Sequence, residues 1–340
     1  MADEKAKGMV TCLLCGYSGE QDIFRAREMQ FGTREEFNYF NCGSCECLQI
    51  EDVPEDLSIH YPQQYYSTKA LKEERYRGLR GWVWKQPYQA SMKSGGLFSS
   101  LLRSIKAVPH FSCLQSINLK PEDRILDVGC GNGKHFLYPL VKLGFSNAMG
   151  CDPFLEKDIQ YENGLKIKKA SVEDIDEGGG NYDAIFFHHS FEHVVDPLLT
   201  LRATSTLMNS ESICVIRIPV SSSWAWKSYG VDWYQLDAPR HLFLHSEKSM
   251  KLLGDKVGLE IERVEYDSNY MQFHCSENYA RDIALLDQRK GKGISWQLKR
   301  ARLNNEAKRL NGEAQGDQAA FFFRKKPEST QGGVEVAPVP

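Results

Sequence analysis

Asp127 with the glycines behind it, two pairs of cysteines and a set of histidines are the residues of this chain that could do chemistry. In Arg124-Ile-Leu-Asp127-Val-Gly129-Cys130-Gly131-Asn-Gly133 an apolar strand gives way to a glycine-rich turn. Ile125, Leu126 and Val128 suit a strand buried on both faces of a parallel sheet. Glycines let the backbone turn sharply and let a bulky ligand press against it. The pattern predicts a helix starting near Asn132, whose free N–H groups would face an anionic group. A nicotinamide-binding fingerprint would place glycine three residues after Gly131, where this chain has Lys134. Asp127 is also foreign to that fingerprint. A carboxylate just before the glycines suits a ligand that carries an ammonium group.

Cys12-Leu-Leu-Cys15 and Cys42-Gly-Ser-Cys45 are two Cys-x-x-Cys pairs with 26 residues between them. Gly16 follows the first pair and Gly43 lies inside the second, so each sits in a tight turn. Two such knuckles can direct four thiolates at one Zn²⁺ in a tetrahedron. The residues between them, with Phe24, Phe31, Phe37, Tyr39 and Phe40, would give short strands and a small apolar face, the pattern of a zinc ribbon. Redox dithiols and chance buried cysteines are the alternatives; two pairs in a module too small to build its own core favour the metal. Cys47 is a substitute candidate for the fourth ligand. A closed four-thiolate site has no open coordination position, so its expected role is structural.

Asp-x-Gly-x-Gly-x-Gly after a strand resembles motif I of the class I S-adenosylmethionine (SAM)-dependent methyltransferases. Residues 146–151 read as a second strand ending in Asp152-Pro153. An acid there, about 20 residues after the glycines, is placed to take both ribose hydroxyls. Residues 165–170 read as a third strand, followed by Ser171-Val172-Glu173-Asp174. Tyr182-Asp-Ala-Ile-Phe-Phe187 is a fourth. It runs into His188-His189-Ser-Phe-Glu192-His193-Val-Val-Asp196-Pro197, which is similar to a Leu-Glu-His-Val segment of the same superfamily. Residues 213–218 are a fifth strand, and the order covers roughly 121–326. The resemblance implies a Rossmann-like α/β fold with a seven-stranded, mostly parallel sheet. It also implies that Asp127, Gly129, Cys130, Gly131, Asp152, Ser171 and Val172 hold SAM. Ser171 stands where many relatives carry an acid for the adenine amine, so Ser171, the backbone at Val172 or Glu173 must do that work. His188 takes the position that lines the cofactor, and His189 the one that faces the substrate.

Methyl transfer is an in-line displacement at a sulfonium methyl. The protein must align nucleophile and methyl, exclude water, and remove a proton if the nucleophile is a hydroxyl. Imidazole suits that last task near neutral pH. His189 is one candidate base, since a strand's carboxyl end is the functional edge of such sheets. His241 is the second. Pro239-Arg240-His241, together with Tyr61-Pro-Gln-Gln-Tyr65-Tyr66 after the cysteines, resembles a bacterial subgroup of these enzymes that often acts on sugars of surface polysaccharides or on nucleotide sugars. Arg240 could hold a phosphate or carboxylate bidentately; the plain alternative is an Arg240–acid ion pair and a buried, satisfied His241. Both lie in 224–246, which reads as a long aromatic and polar loop over the methyl site. His189-x-x-Glu192-His193 resembles the metal-binding segment of ubiquinone O-methyltransferases, which carry glutamate at the first position. Many relatives have Glu-His here without metal, so Glu192 and His193 are expected to be a hydrogen-bonded structural pair opening the next helix.

Positioning these groups takes one large α/β domain and a small module, which 340 residues can hold. The expected division is a zinc ribbon at 1–65, a helical lid at 66–120 carrying Trp82, Trp84 and Tyr88, the methyltransferase domain at 121–326, and a disordered tail at 327–340. The net charge of −3 gives no bulk field toward nucleic acid. No apolar run approaches a membrane span, and residues 1–8 do not read as a signal peptide. Ten cysteines without an export signal fit reduced thiols in the cytoplasm. Residues 289–309 hold eight basic residues and one acid, Glu306, a local charge of +7. A solvated helix is the favoured reading there over weak peripheral membrane contact. The expected protein is thus a cytoplasmic SAM-dependent methyltransferase with a structural Zn²⁺. It would act on a hydroxyl of a small-molecule or saccharide acceptor in polysaccharide biosynthesis, without nucleic acid as partner. The alternatives are a methyltransferase for RNA, protein or a small aromatic or quinol hydroxyl, and a SAM-binding module without catalysis.

Overall fold

A computed structural model describes residues 6–61, 71, 78–92, 108–175, 181–288, 291 and 293–327. The expected tail after 327, and much of the expected lid at 66–120, lie outside the described residues. The first strands are β1 (Ala6–Thr11), β2 (Ser18–Arg27), β3 (Glu36–Asn41) and β4 (Leu48–Ile50), paired antiparallel in that order. Both cysteine pairs sit in turns of this sheet, between β1 and β2 and between β3 and β4. Gly16 N donates to Cys12 O at 2.9 Å and Glu46 N to Cys42 O at 2.8 Å. The turns bring Cys12 Sγ to 3.6 Å from Cys45 Sγ and Cys15 Sγ to 3.6 Å from Cys42 Sγ. Tetrahedral zinc with Zn–S bonds of about 2.3 Å needs sulfurs about 3.8 Å apart, so the four thiols fit such an ion. Cys47 stays out of the cluster, its thiol donating to Leu244 O at 3.5 Å.

The larger sheet contains β5 (Ile125–Val128), β6 (Ala148–Cys151), β7 (Ile159–Gln160), β8 (Lys166–Lys168), β9 (Tyr182–His188), β10 (Met208–Pro219), β12 (Leu259–Tyr266) and β13 (Gln318–Lys325), with β11 (Phe243–Leu244) joining the smaller sheet. Its order is β12-β13-β10-β9-β5-β6-β8-β7. The five strands from β10 to β8 run parallel, and β13 is antiparallel to both of its neighbours. Seven strands were expected. The eighth is β7, a two-residue edge strand folded back on β8, too short to leave a periodic signal.

Alternation along the strands divides the core in two. Ile125, Ala184, Phe186, Val215 and Phe322 face one way, onto α1 (Gly78–Met92), the short 3₁₀ helix Pro109–Ser116 and α2 (Leu137–Lys142). Tyr88 of α1 lies 5.2 Å edge-on from Phe111. Leu126, Ile185, Phe187, Ile216 and Phe323 face the other way, in one core with Tyr39, Phe40, Leu48 and Ile50 of the cysteine module. The module therefore shares the second core with Leu201, Met250 and Leu253 of the helices 197–206 and 247–256.

Three local expectations change. The helix after the glycines begins at Leu137 and not near Asn132. Gly131 and Gly133 hold φ of 55° and 67°, incompatible with a right-handed helix, and Asn132 Oδ1 turns back to accept from Lys134 N at 3.1 Å. Glu192 and His193 lie in a 3₁₀ turn, while α3 (Pro197–Thr206) starts later, capped by Asp196. Residues 224–246 form no open loop: they fold into α4 (Trp224–Tyr229), two 3₁₀ turns and β11. Three helices complete the fold: α5 (Glu247–Lys256), capped by Ser246, α6 (Met271–Tyr279) and α7 (Gly293–Gly312). Within the basic segment, Arg309 pairs with Glu306 and Glu313, and Lys299 with Glu277. Among the described residues no helix is long and apolar enough to cross a membrane.

The order of 224–246 comes from its docking on the cysteine module. β11 pairs antiparallel with β4. Ile50 N donates to Leu242 O at 3.0 Å, Ser246 Oγ to Cys45 O at 2.8 Å, and Tyr39 Oη to His241 O at 2.9 Å. Trp226 meets Phe24 edge-on at 5.2 Å. Tyr39→Phe deletes one of these bonds and leaves the His241 carbonyl unsatisfied. The expected cost is about 1–3 kcal/mol, read in chemical denaturation as a lower midpoint at unchanged slope.

Candidate functional site

A cleft of about 1140 Å³ opens at the carboxyl ends of β5, β6 and β9. Asp127 lies at its base, 3% exposed, and among the described residues its Oδ1 has no hydrogen-bond partner. Burial, with the Asp152 carboxylate adding to it, pushes the Asp127 carboxyl well above the usual carboxylate range. An unpaired buried carboxyl at the floor of a cleft is a receptor for a ligand's ammonium group.

The turn above it is built by exclusion. Gly129 has φ of 70°, and a Cβ there would collide with the Ser190 side chain. A Cβ on Gly133 would meet Ile167 Cδ1 at 2.8 Å. Ser190 Oγ donates to Val128 O at 2.6 Å, which locks the two loops together. Asp152 Oδ2 accepts from Gly131 N at 2.8 Å and its Oδ1 from Phe154 N at 2.9 Å. Each oxygen keeps a further lone pair, enough for two ribose hydroxyls. Cys130, Ser171 and Val172 line the same cleft. Ser171 Oγ donates to Asp174 Oδ2 at 2.7 Å, and Glu173 accepts from Thr200 Oγ1 at 2.6 Å. The unpaired Asp127 oxygen, the glycine turn and the open lone pairs of Asp152 fit SAM.

His188 stacks on Phe186 at 5.6 Å, with His110 and Phe136 edge-on. Among the described residues neither of its ring nitrogens has a partner, and burial, reinforced by the Arg217 charge, holds its pKa well below that of free histidine. It is therefore a neutral group in the cleft wall. His189 leaves the strand with φ of 54°. Its Nε2 lies 2.7 Å from Arg217 Nη1, and arginine can only donate. Nε2 therefore accepts, and Nδ1–H donates to Glu192 Oε1 at 3.2 Å. Arg217 is held in turn by Asp267 Oδ2 at 2.7 Å.

Glu192 is fully buried. Burial raises its carboxyl pKa, but His189, His193 and His241 together bring it down to about 2. His193 Nδ1 donates to Arg240 O at 2.8 Å, and His241 Nδ1 donates to Gln235 O at 2.7 Å. Both rings thus keep their lone pair on Nε2. His241 Nε2 is 3.8 Å from Glu192 Oε1 and 3.8 Å from Asp237 Oδ2. Ligand atoms of Glu192, His193 and His241 lie within 4.8 Å of one another, a set that could hold a proton or a divalent cation. Glu192 and His193, expected to bond each other, bond His189 and Arg240 instead. Arg240 lies outside the cleft lining: it is 1% exposed and grips Asp237 through Nε at 3.0 Å and Nη2 at 2.6 Å. The bidentate carboxylate it holds belongs to its own chain, the plain alternative among the sequence expectations.

Sequence reasoning assigned no site role to Gln30, Ser58, His110, His135, Gln235 and Asp237, all of which line the cleft. Tyr61 also lines it, stacked on Phe154 at 5.5 Å. Tyr61, Gln235 and Asp237 had a signal, the first in the Tyr-Pro motif and the other two in the stretch before Arg240.

Asp127→Asn separates folding from binding. A carboxyl whose pKa is raised on folding contributes fully below its unfolded-state value and loses that contribution as pH rises through the folded value. The variant should therefore melt higher than the parent at about pH 7, and alike at about pH 3, where both are uncharged. Calorimetric titration should show SAM binding weakened about 10–100-fold, with the parent's loss of affinity at falling pH gone.

A family described as a methyltransferase domain matches residues 103–264. The chain is similar to the ubiquinone biosynthesis O-methyltransferase of Ruegeria pomeroyi, 30% identical over 177 residues, which span 46% of this chain and 71% of that protein. The enzyme of the same name from a Ruegeria species is 28% identical over the same shares. The tRNA U34 carboxymethyltransferase of Campylobacter hominis is 27% identical over 94 residues, 26% of this chain and 33% of that protein. Taken with the glycine turn, Asp127 and Asp152, these matches mean that the chain belongs to the class I SAM-dependent methyltransferases.

Proposed function

We propose that this methyltransferase transfers its methyl group to a hydroxyl of a small acceptor, with His241 as general base. The observation that carries the reading is the His241 ring. Its Nδ1–H is fixed on the Gln235 carbonyl, so the lone pair sits on Nε2, between the carboxylates of Glu192 and Asp237. When bound, SAM supplies a methyl on a good leaving group. Nε2 takes the hydroxyl proton as the new O–C bond forms, and the two carboxylates stabilise the imidazolium. His189 supports the site differently: its lone pair is committed to Arg217, and its N–H orients Glu192. Asp127, Gly129, Cys130, Gly131, Asp152, Ser171, Val172 and His188 surround the cofactor half of the cleft.

Gln30, Tyr234, Gln235 and Asp237 line the cleft beside His241. Amides, a phenol and a carboxylate suit a polyhydroxylated acceptor, and the reading extends to a saccharide or nucleotide sugar. A second reading is a phenolic or quinol hydroxyl, favoured by the ubiquinone O-methyltransferase relatives and by the exposed Val195 and Leu199 in the cleft wall. The four clustered thiols of Cys12, Cys15, Cys42 and Cys45 hold a structural Zn²⁺ in this account.

Methyl-labelled SAM is incubated with the protein and, separately, with UDP-glucose, a simple catechol and bulk tRNA. Label in the sugar supports the saccharide reading and label in the catechol the second. Label in tRNA alone overturns the small acceptor. His241→Ala should lower transfer about 10²–10⁴-fold with SAM affinity retained; a full rate in that variant removes His241 as base.

The metal is checked by elemental analysis. Equimolar zinc in the parent, lost in Cys12→Ser together with part of the thermal stability, is the expected result. An unchanged melting curve after complete chelation would sink the structural role.

A further inference from the structure

Glu28 follows β2 in the cysteine module and is 1% exposed. Its carboxylate accepts from Gln30 N at 3.0 Å, Phe31 N at 2.9 Å, Thr33 N at 3.0 Å and Thr33 Oγ1 at 3.2 Å. These bonds close a turn around the carboxylate. One more donor arrives from 212 residues away: Arg240 Nη2, at 2.9 Å from Glu28 Oε1. The same guanidinium holds both oxygens of Asp237 and lies over the Phe31 ring at 4.9 Å.

Asp237 is the pivot. It is a non-glycine residue with φ of 41°, in the left-handed region that favours glycine. Its carbonyl accepts from Arg240 N at 2.9 Å and from His241 N at 3.3 Å, so residues 237–241 form one tight turn that ends in His241. The Arg240 fork closes this turn from the side-chain end, and the cysteine module anchors the fork at two points, through the Glu28 carboxylate and through His60 O, which accepts from Arg240 Nη1 at 3.3 Å. Of the two, Glu28 alone brings a charge.

We propose that Glu28 is a positioning residue for methyl transfer: through Arg240 and Asp237 it fixes the orientation of the His241 ring. This rests on His241 being the base. It assigns the cysteine module a share in catalysis that a merely covering module would not have. Glu28 is not among the residues that line the cleft, and its effect passes through the 237–241 turn.

The test reads His241 directly. Long-range ¹H–¹⁵N spectra of the full-length, zinc-loaded, SAM-bound protein are recorded, with the His241 signals identified by their loss in His241→Gln. The parent should show a single tautomer, protonated at Nδ1. In Glu28→Gln the two nitrogen shifts should move toward the averaged position of a freely exchanging imidazole, with zinc content and SAM affinity kept. A single-tautomer pattern in that variant overturns the proposal. So does a change that comes only with loss of zinc and SAM binding, since a folding role alone would give that. If Glu28→Gln does not fold, Arg240→Lys decides. Lysine keeps the charge but cannot bridge Glu28 and Asp237 at once; the same averaging supports the proposal and an unaltered pattern overturns it. The base reading fails separately, if His241→Ala transfers label at the parental rate, whatever the spectra show.

Discussion

Arg240 carries a permanent charge with almost no access to water. A guanidinium so placed must be balanced inside the protein, because an unpaired charge there would be prohibitive. Its two balancing carboxylates come from different parts of the chain, Glu28 from the cysteine module and Asp237 from the segment after β10. Separating Glu28 from the 237–241 turn would strand its carboxylate and leave Arg240 with Asp237 alone. Breaking such a pair by removing one partner typically costs about 3–5 kcal/mol, whereas the intact pair adds little stability over a well-packed apolar substitute. The network therefore acts mainly on specificity: it fixes which edge of the module meets which segment. The β4–β11 pairing, the Tyr39–His241 bond and the Ser246–Cys45 bond are all consistent with that one docking.

The two faces of the main sheet carry different halves of the chemistry. Asp127 pairs in register with Phe186, so both point to the face covered by α1 and the 109–116 segment, where His188 and His110 also meet. Leu126 and Phe187 point to the other face, under the cysteine module, and there Glu192 is buried with His241 beside it. The cleft runs across the strand ends between them. A strand period of two thus places the groups proposed to hold the cofactor and those proposed to handle the proton on opposite sides of one backbone edge. His189, with its positive φ, is the point where the chain stops alternating and turns from one side to the other.

Strands β5, β6, β9 and β10 were legible because burial on both faces leaves unbroken apolar runs, and the four cysteines because their spacing admits few other uses. The later helix start was also latent in the sequence: three alternating glycines at positive φ cannot enter a right-handed helix, so helix must wait for Leu137. Glu28 was not legible. In Arg27-Glu28-Met29 it looks like one more surface acid, and its partner is 212 residues away. Residues 224–246 read as a loop because their order is imposed from outside, by the free edge of β4 and by Phe24 under Trp226. Arg217 did leave a mark, as a lone charge in the apolar run Ile216-Arg217-Ile218, and its burial decides what His189 can do.

That decision follows from hydrogen-bond polarity. His189 and His241 are the same side chain near the same carboxylate, Glu192. One faces an arginine, which can only donate, so its imidazole must accept and its lone pair is consumed. The other faces a backbone carbonyl, which can only accept, so its imidazole must donate from Nδ1 and its lone pair is displaced to Nε2. The shared carboxylate links them. His189 holds Glu192 Oε1 on one side, which keeps that oxygen 3.8 Å from His241 Nε2 on the other. Once the proposed base takes a proton, Nε2 becomes a donor that needs an acceptor. Glu192 and Asp237 each wait within a shift of about 1 Å of hydrogen-bond distance. Because Arg240 is shared with Glu28, Asp237 is not fully neutralised, and it still presents negative charge to the new imidazolium.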